Sequence, residues 1–186
     1  EPTVQHTIEA GIDLVSFSGD KLLGAPQAGI LVGKADLVSR LRRHPLTRAL
    51  RVDKTTLAGL QATLLHYVRG DAERSIPVWA MISTPLDEID HRAQAWAETL
   101  RAAGVAARVI EGRSAAGGGS LPGETIPTQL VAIDVSSPDE WAARLRSHEP
   151  PIIVRIQDDQ LCLDPRTILP AQADTLIQVL LAVLGD

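Results

Sequence analysis

The sequence has little cysteine, few aromatic residues and no long apolar run. Its single cysteine, Cys162, excludes an intramolecular disulfide and a cysteine metal cluster, and the five histidines show no ligand spacing, so no metal site is expected. No apolar segment approaches the roughly 18 residues of a membrane-spanning helix. The first residues have neither the basic flank nor the apolar core of a signal peptide. These features predict a cytoplasmic protein without a membrane span.

Charge is unevenly distributed along the 186 residues. The net charge of −5 argues against a broad nucleic-acid surface. Between Arg40 and Lys54, however, six cations and one anion give +5, which leaves −10 for the rest of the chain. The hydrophobic content of 45% is enough for one large domain or two small ones. A local anion site is therefore compatible with the acidic total.

The first part of the chain predicts a strand, a turn, a second strand and two helices. GIDLVSFS and AGILVG are typical of short strands, and ADLVSRLRR of a helix that Pro45 ends. A long helix follows in DKTTLAGLQATLLHYVRG, with Asp53 or Thr55 as the cap and Gly70 at the end. The opening residues resemble the middle of a fold, so we expect a fragment of a longer protein.

From Ser83 the signals change to an αββαββα order. TPLDEIDHRAQAWAETLRAAG and SPDEWAARLRSHE indicate helices, and a strand pair surrounds a tight turn at Asp158 and Asp159. This order predicts a small α+β domain. The fold class is therefore α/β, with residues 1–78 as the end of a larger domain and residues 79–186 as a small carboxy-terminal domain.

A lysine in the stretch VSFSGDKLLGAPQAGILVG has unusual surroundings. Lys21 lies between two apolar runs, with Gly19 and Gly24 close by. A lysine that forms a Schiff base must be held beside its cofactor, and glycines let the backbone approach that cofactor. Ser18 and Asp20 add polar groups, and a hydroxyl suits a phosphate. The residues alone leave two interpretations open, a pyridoxal phosphate (PLP) lysine and a structural lysine on a tight turn.

Four ordered motifs carry a family resemblance. SFSGDKLLGAPQAGILVGK, HPLTRALRVDKTTLAGLQATL, GGGSLPGE and DDQLCLDPRTI together resemble bacterial selenocysteine synthase, the L-seryl-tRNA(Sec) selenium transferase family, over nearly the whole chain. The resemblance implies the last strands of the large domain and the whole small domain of a fold-type I PLP enzyme. Ala25 departs from the motif, because the family usually has a second glycine there; the methyl group matters only if that position needs a positive φ.

The resemblance also implies the chemistry. Lys21 would form the Schiff base with PLP and remove the Cα proton of the bound seryl group, with Asp20 as a second catalytic residue and Ser18 as a cofactor ligand. Arg48 and Arg51 would bind selenophosphate, since a guanidinium matches phosphate oxygens bidentately. The implied partners are seryl-tRNA(Sec), selenophosphate and further copies of the chain, in a homo-oligomer built from dimers, by resemblance a decamer.

Two other functions remain open at this stage. One is a paralogous fold-type I lyase or transferase that acts on a small amino acid or amino sugar, and the other is a non-catalytic oligomerisation module. Arg48 and Arg51 favour the selenium transferase, because a small-substrate lyase need not retain that pair. We expect the isolated chain to be inactive. The loop Gly117–Gly123 and Arg155 receive no role.

Overall fold

The computed structural model describes residues 2–117 and 119–185 as a mixture of helices and strands. Their contacts divide the chain into two units. The first unit consists of Glu1–Ala80 with Gly117–Pro122, and the second of Met81–Ala116 with Gly123–Asp186. The predicted α/β class is confirmed, whereas the predicted domain division between residues 78 and 79 stays a prediction. In the described ranges, no helix has both the length and the apolar character needed to cross a membrane.

The first unit contains a two-stranded antiparallel sheet in which Phe17 lies opposite Ile30. The predicted order of strand, turn, strand and helix is confirmed. The strands are β1 (Leu14–Ser18) and β2 (Gly29–Gly33). The helices are α1 (Val4–Glu9), α2 (Ala35–Arg43), α3 (Pro45–Leu50), α4 (Lys54–Arg69), α5 (Ala72–Ser75) and α6 (Pro77–Ser83), the last of which crosses into the second unit.

Capping residues set the bounds of α3 and α4. Asp53 caps α4, because its Oδ1 accepts a hydrogen bond from the Thr56 amide at 2.7 Å. Gly70 ends that helix in the left-handed region, with a φ of 72°. Pro45 follows the end of α2 and is also the first residue of α3. It occupies the first turn of α3, where its missing N–H has no helical partner to lose.

The second unit is a four-stranded antiparallel sheet with three helices. The strands lie in the order β3, β4, β6, β5, and the predicted αββαββα pattern is confirmed. Asp158 and Asp159 form the turn between β5 and β6 with φ values of 51° and 56°. The elements are α7 (Leu86–Ala102), β3 (Ala107–Ala115), β4 (Thr125–Asp134), α8 (Pro138–Arg146), β5 (Arg155–Gln157), β6 (Gln160–Leu163) and α9 (Ala173–Leu184), with short 3₁₀ segments at Pro165–Thr167 and Pro170–Gln172.

The hydrophobic core of the second unit lies between its helices and one face of its sheet. Leu100, Leu145 and Leu180 come from the three helices and pack with Ile133 and Leu161 of the strands, all fully buried. Burial of this much apolar surface stabilises the unit at about 25 cal/mol per Å².

The first unit has fewer buried apolar side chains. On α4, Leu60 is 8% exposed, whereas Leu57, Leu64 and Val68 are 54%, 45% and 82% exposed. These four residues recur at helical spacing, which is typical of a helix here, but within this chain Leu60 is the one of the four that is buried.

Candidate active site

The turn after β1 fixes the backbone that carries Lys21. The Gly19 amide donates to the Ala28 carbonyl and the Ala25 amide to the Gly19 carbonyl, each at 2.8 Å. The Gly24 amide donates to the carbonyl of Lys21 itself at 2.9 Å. Three backbone hydrogen bonds therefore close the turn around the lysine.

Glycine is required at position 24 for two reasons. Its φ is +71°, and a Cβ there would lie 2.3 Å from Cγ2 of Ile76. Ala25 is not among the described residues with a positive φ. The departure of Ala25 from the family motif therefore introduces no backbone strain.

The Lys21 side chain lies at a small cavity of the first unit. Its Nζ donates to the Gly119 carbonyl at 3.1 Å, so the glycine-rich loop, of which Gly118 lies outside the described residues, reaches the lysine. The cavity has a volume of about 270 Å³, near the lower end of the range for ligand pockets. Three of the five aromatic residues of the chain line part of it, together with two serines: Phe17, Tyr67, Trp79, Ser18 and Ser120.

The two polar residues predicted beside Lys21 differ in their placement. Ser18 lines the cavity with Lys21, at the end of β1. Asp20 is exposed and is not among the residues that line it. The structure therefore brings Ser18 and Lys21 together, and the role of Asp20 stays a prediction.

Arg48 and Arg51 are both exposed. Arg48 is in the last turn of α3, and Arg51 is the residue that caps the end of this helix, with a φ of −64° and a ψ of 138°. The chain turns away from the helix after Arg51. The binding role of the two arginines stays a prediction.

Arg51 lines an open groove of about 1130 Å³, which it shares with Lys54 and with residues of both strands. Neither Arg48 nor Lys21 is among the residues that line this groove. Asp53, the acidic residue there, accepts hydrogen bonds at the start of α4, and these bonds lower the pKa of its carboxyl below the ordinary value. The groove thus holds two cations beside a carboxylate that is already hydrogen-bonded.

The second unit contains a buried polar cluster, of which the sequence DPRT indicates only the local pair Asp164 and Arg166. The Asp164 carboxylate accepts from Ser114 Oγ at 2.5 Å and from Thr128 Oγ1 at 2.9 Å, and it forms an ion pair with Arg155 at 3.1 Å. The Arg155 guanidinium also donates to the Arg113 carbonyl at 3.0 Å. These contacts join residues up to 50 positions apart, so no local pattern could indicate them.

Cys162 is a free thiol, 1% exposed, and burial raises its pKa above the ordinary value. The thiol packs in the apolar interior of the second unit with Leu130 and Ala132. Across residues 2–117 and 119–185, no group of three potential metal ligands comes together.

The fold and the lysine turn define an α/β protein in which a glycine-rich turn between two strands presents an amine to an aromatic cavity. A family model described as SelA, L-seryl-tRNA selenium transferase, matches residues 1–169. The chain belongs to this family.

Several relatives with the name L-seryl-tRNA(Sec) selenium transferase match at similar identity. The relative from Carboxydothermus hydrogenoformans is 43% identical over 178 residues and covers 94% of this chain and 38% of its own length. The relative from Moorella thermoacetica is 45% identical over 193 aligned residues and covers 99% of this chain and 40% of its own length. The chain thus spans about 40% of the length of the curated relatives it matches.

A comparison with solved structures gives a weaker likeness. It is to a serine palmitoyltransferase from S. paucimobilis, at a TM-score of 0.38 and 17% identity, and it covers 95% of this chain and 39% of that one. A likeness at this level establishes neither the arrangement of the units nor a ligand.

Proposed function

We propose that the full-length protein containing this chain is an L-seryl-tRNA(Sec) selenium transferase. It would convert seryl-tRNA(Sec) to selenocysteinyl-tRNA(Sec) with PLP as the cofactor and selenophosphate as the selenium donor. The observation that carries this proposal is the family match over residues 1–169, which includes the lysine turn and the arginine segment. The isolated chain would be inactive, because it spans only part of its relatives.

The residues at the Lys21 cavity fit PLP, which is a flat aromatic aldehyde with a phosphate group. An amine is available for the aldehyde, two hydroxyl groups for phosphate oxygens, and aromatic side chains for the ring. Lys21 would hold the cofactor covalently and Ser18 would bind its phosphate. When bound, PLP supplies an electron sink that stabilises negative charge at the substrate Cα.

The residues of this chain would carry the proton transfers. Once the seryl amine has displaced Lys21 from the cofactor, the freed Lys21 amine would remove the proton from the seryl Cα, the Cβ–O bond would break, and the hydroxyl would leave as water. Selenium then forms a bond to Cβ while the phosphorus–selenium bond of selenophosphate breaks with the addition of water and releases phosphate. A proton returns to Cα, so the product differs from the substrate by selenium in place of oxygen.

Arg48 and Arg51 would bind the anionic selenium donor. The groove lined by Arg51 and Lys54 supports an anion-binding role for this segment, because its two cations outnumber the one carboxylate there, and the Thr56 amide already donates to that carboxylate. The remaining parts of the proposal follow from the family. They are a cytoplasmic location, a homo-oligomer built from dimers, and seryl-tRNA(Sec) as a partner.

The test of this function is a reconstitution with the full-length protein. Purified protein loaded with PLP is incubated with seryl-tRNA(Sec) and selenophosphate, and the aminoacyl group is identified after hydrolysis from the tRNA. We expect selenocysteine, and none when selenophosphate or PLP is omitted. Release of pyruvate or of another small product without selenium incorporation would favour the paralogous lyase.

Replacement of Arg48 or Arg51 by alanine should weaken the use of selenophosphate by about ten- to hundredfold at limiting donor. Each change removes a charge-assisted hydrogen bond worth about 1.5 to 3 kcal/mol, and 1.4 kcal/mol corresponds to tenfold. Arg48→Lys and Arg51→Lys should retain only part of the donor use, because an ammonium lacks the planar, bidentate geometry of a guanidinium. The measurement is single-turnover conversion against donor concentration for each variant and for the double variant.

Arg42→Ala is the matched control, since Arg42 lies in the same basic segment and is exposed on α2. It should leave the donor dependence unchanged. If Arg48→Ala and Arg51→Ala also leave it unchanged, the two arginines do not bind the donor.

A further inference from the structure

The single tyrosine of the chain lies against the lysine turn. Tyr67 is near the end of α4, and its hydroxyl lies 2.9 Å from the Leu23 carbonyl and 3.3 Å from the Leu22 carbonyl. Trp79 of α6 donates its indole N–H to the same hydroxyl at 2.7 Å. The tyrosine thus accepts from one side chain and donates to the backbone that directly follows Lys21.

The direction of these hydrogen bonds is fixed by chemistry. An indole nitrogen can only donate, so the Tyr67 oxygen must accept from Trp79, and the phenolic proton is left for the carbonyls. Burial raises the pKa of Tyr67 above its ordinary value, while the Trp79 hydrogen bond opposes that effect. At neutral pH the phenol is therefore protonated and remains a donor.

The Tyr67 hydroxyl adds a side-chain hydrogen bond to a turn that backbone hydrogen bonds already close. Two of those bonds, from Gly24 to Lys21 and from Ala25 to Gly19, close the loop that contains Leu22 and Leu23. The Lys21 side chain has four rotatable bonds and is exposed, so the position of its amine depends on how firmly this backbone is held.

We propose that Tyr67, oriented by Trp79, is a positioning residue for Lys21 that acts by holding the Leu22 and Leu23 carbonyls. We call the hydrogen bonds from Tyr67 to the Leu22 and Leu23 carbonyls the clamp. The inference rests on the proposed function for the role of Lys21, although the clamp itself does not depend on the cofactor. The hydroxyl is the part of the tyrosine that matters, because a phenylalanine ring fills the same space beside the cavity but cannot donate to a carbonyl. In this role Tyr67 acts through its hydroxyl on the backbone, while its ring lines the Lys21 cavity.

Two measurements on the full-length protein test the proposal with Tyr67→Phe. The first is amide hydrogen exchange of peptides that include Gly24 and Ala25, without cofactor, which reports the turn directly. Loss of one hydrogen bond should speed exchange by about two- to tenfold. The second is the pH titration of the absorbance of PLP bound at Lys21. Its midpoint should rise by up to about one pH unit, because a less fixed nitrogen is better solvated and water favours its protonated form.

The control is Thr63→Val, which removes a hydroxyl on the same helix that donates to the Gly59 carbonyl at 3.1 Å. It should change neither measurement. Unchanged exchange in Tyr67→Phe overturns the clamp. Faster exchange with an unchanged titration shows a structural contact that does not position Lys21, which also overturns the proposal. If wild-type protein fails to bind PLP at Lys21, the proposed function fails, while the exchange measurement still decides whether the clamp exists.

Discussion

Replacing Lys21 with alanine in the full-length protein should abolish the covalent attachment of PLP. Sodium borohydride reduces the linkage between PLP and an amine, so the wild type should carry one reduced cofactor per chain on the peptide with Lys21, and the variant none. This chain contributes three lysines to the full-length protein, and the identity of the modified peptide distinguishes them. Of these, Lys21 is the lysine that lines the aromatic cavity.

The other two lysines are matched controls. Lys34 forms an ion pair with Asp13 at 2.5 Å, and this hydrogen bond raises its pKa, which holds the amine in the non-nucleophilic ammonium form. Lys54 is the first residue of α4 and lines the separate groove with Arg51. Lys34→Ala and Lys54→Ala should retain the reduced adduct. An adduct that persists in Lys21→Ala, on any peptide, would show that this turn does not hold the cofactor.

The lysine turn was predictable from the sequence because its determinants are local. The turn depends on small residues, on two flanking strands and on Gly24 at a left-handed position, all within 20 residues of one another. Each of these features has a recognisable local sequence pattern. The same holds for Asp53 and Gly70, which cap and end α4. Backbone conformation of this kind is set mainly by neighbours along the chain.

Contacts between distant residues were not predictable in the same way. Tyr67 and Leu23 are 44 positions apart, and Ser114 and Asp164 are 50 apart. Polar side chains of these types occur throughout the sequence, and only the fold selects which of them meet.

Replacing Arg166 with methionine should lower the free energy of unfolding of the second unit by about 3 to 5 kcal/mol. Arg166 is 5% exposed, and its side chain is almost fully enclosed by that unit. Its guanidinium donates at 2.8 to 3.2 Å to four backbone carbonyls, those of Met81, Ile82, Thr84 and Pro127. Met81 and Ile82 lie in the last turn of α6 and Thr84 directly follows the helix, where a cation also interacts favourably with the helix dipole.

The expected loss comes from several hydrogen bonds to a charged group, each worth about 1.5 to 3 kcal/mol and not additive. Burial lowers the pKa of Arg166 from its ordinary value, and the nearby Asp164 carboxylate opposes this shift, so the group stays charged at neutral pH. The measurement is urea unfolding followed by the fluorescence of Trp96 and Trp141, both in the second unit. Arg166→Lys should fall between wild type and Arg166→Met, because an ammonium reaches fewer of the carbonyls.

Arg155→Met is the matched control. Arg155 is also in the second unit and forms an ion pair with Asp164, but its side chain is 44% exposed. The Asp164 side chain is only 6% exposed, but it keeps its hydrogen bonds from Ser114 and Thr128 when Arg155 is replaced. Water can take the place of the exposed guanidinium, so the expected loss is about 1 kcal/mol. Equal losses of unfolding free energy in Arg166→Met and Arg155→Met would mean that the buried guanidinium contributes no more to stability than the exposed one. A well-packed methionine that leaves stability unchanged would show that the cost of burying the charge offsets its hydrogen bonds, as happens for some buried ion pairs. The prediction requires Arg166→Met to be destabilising by several times the effect of Arg155→Met, because four carbonyls lose a charged donor that no other described side chain supplies.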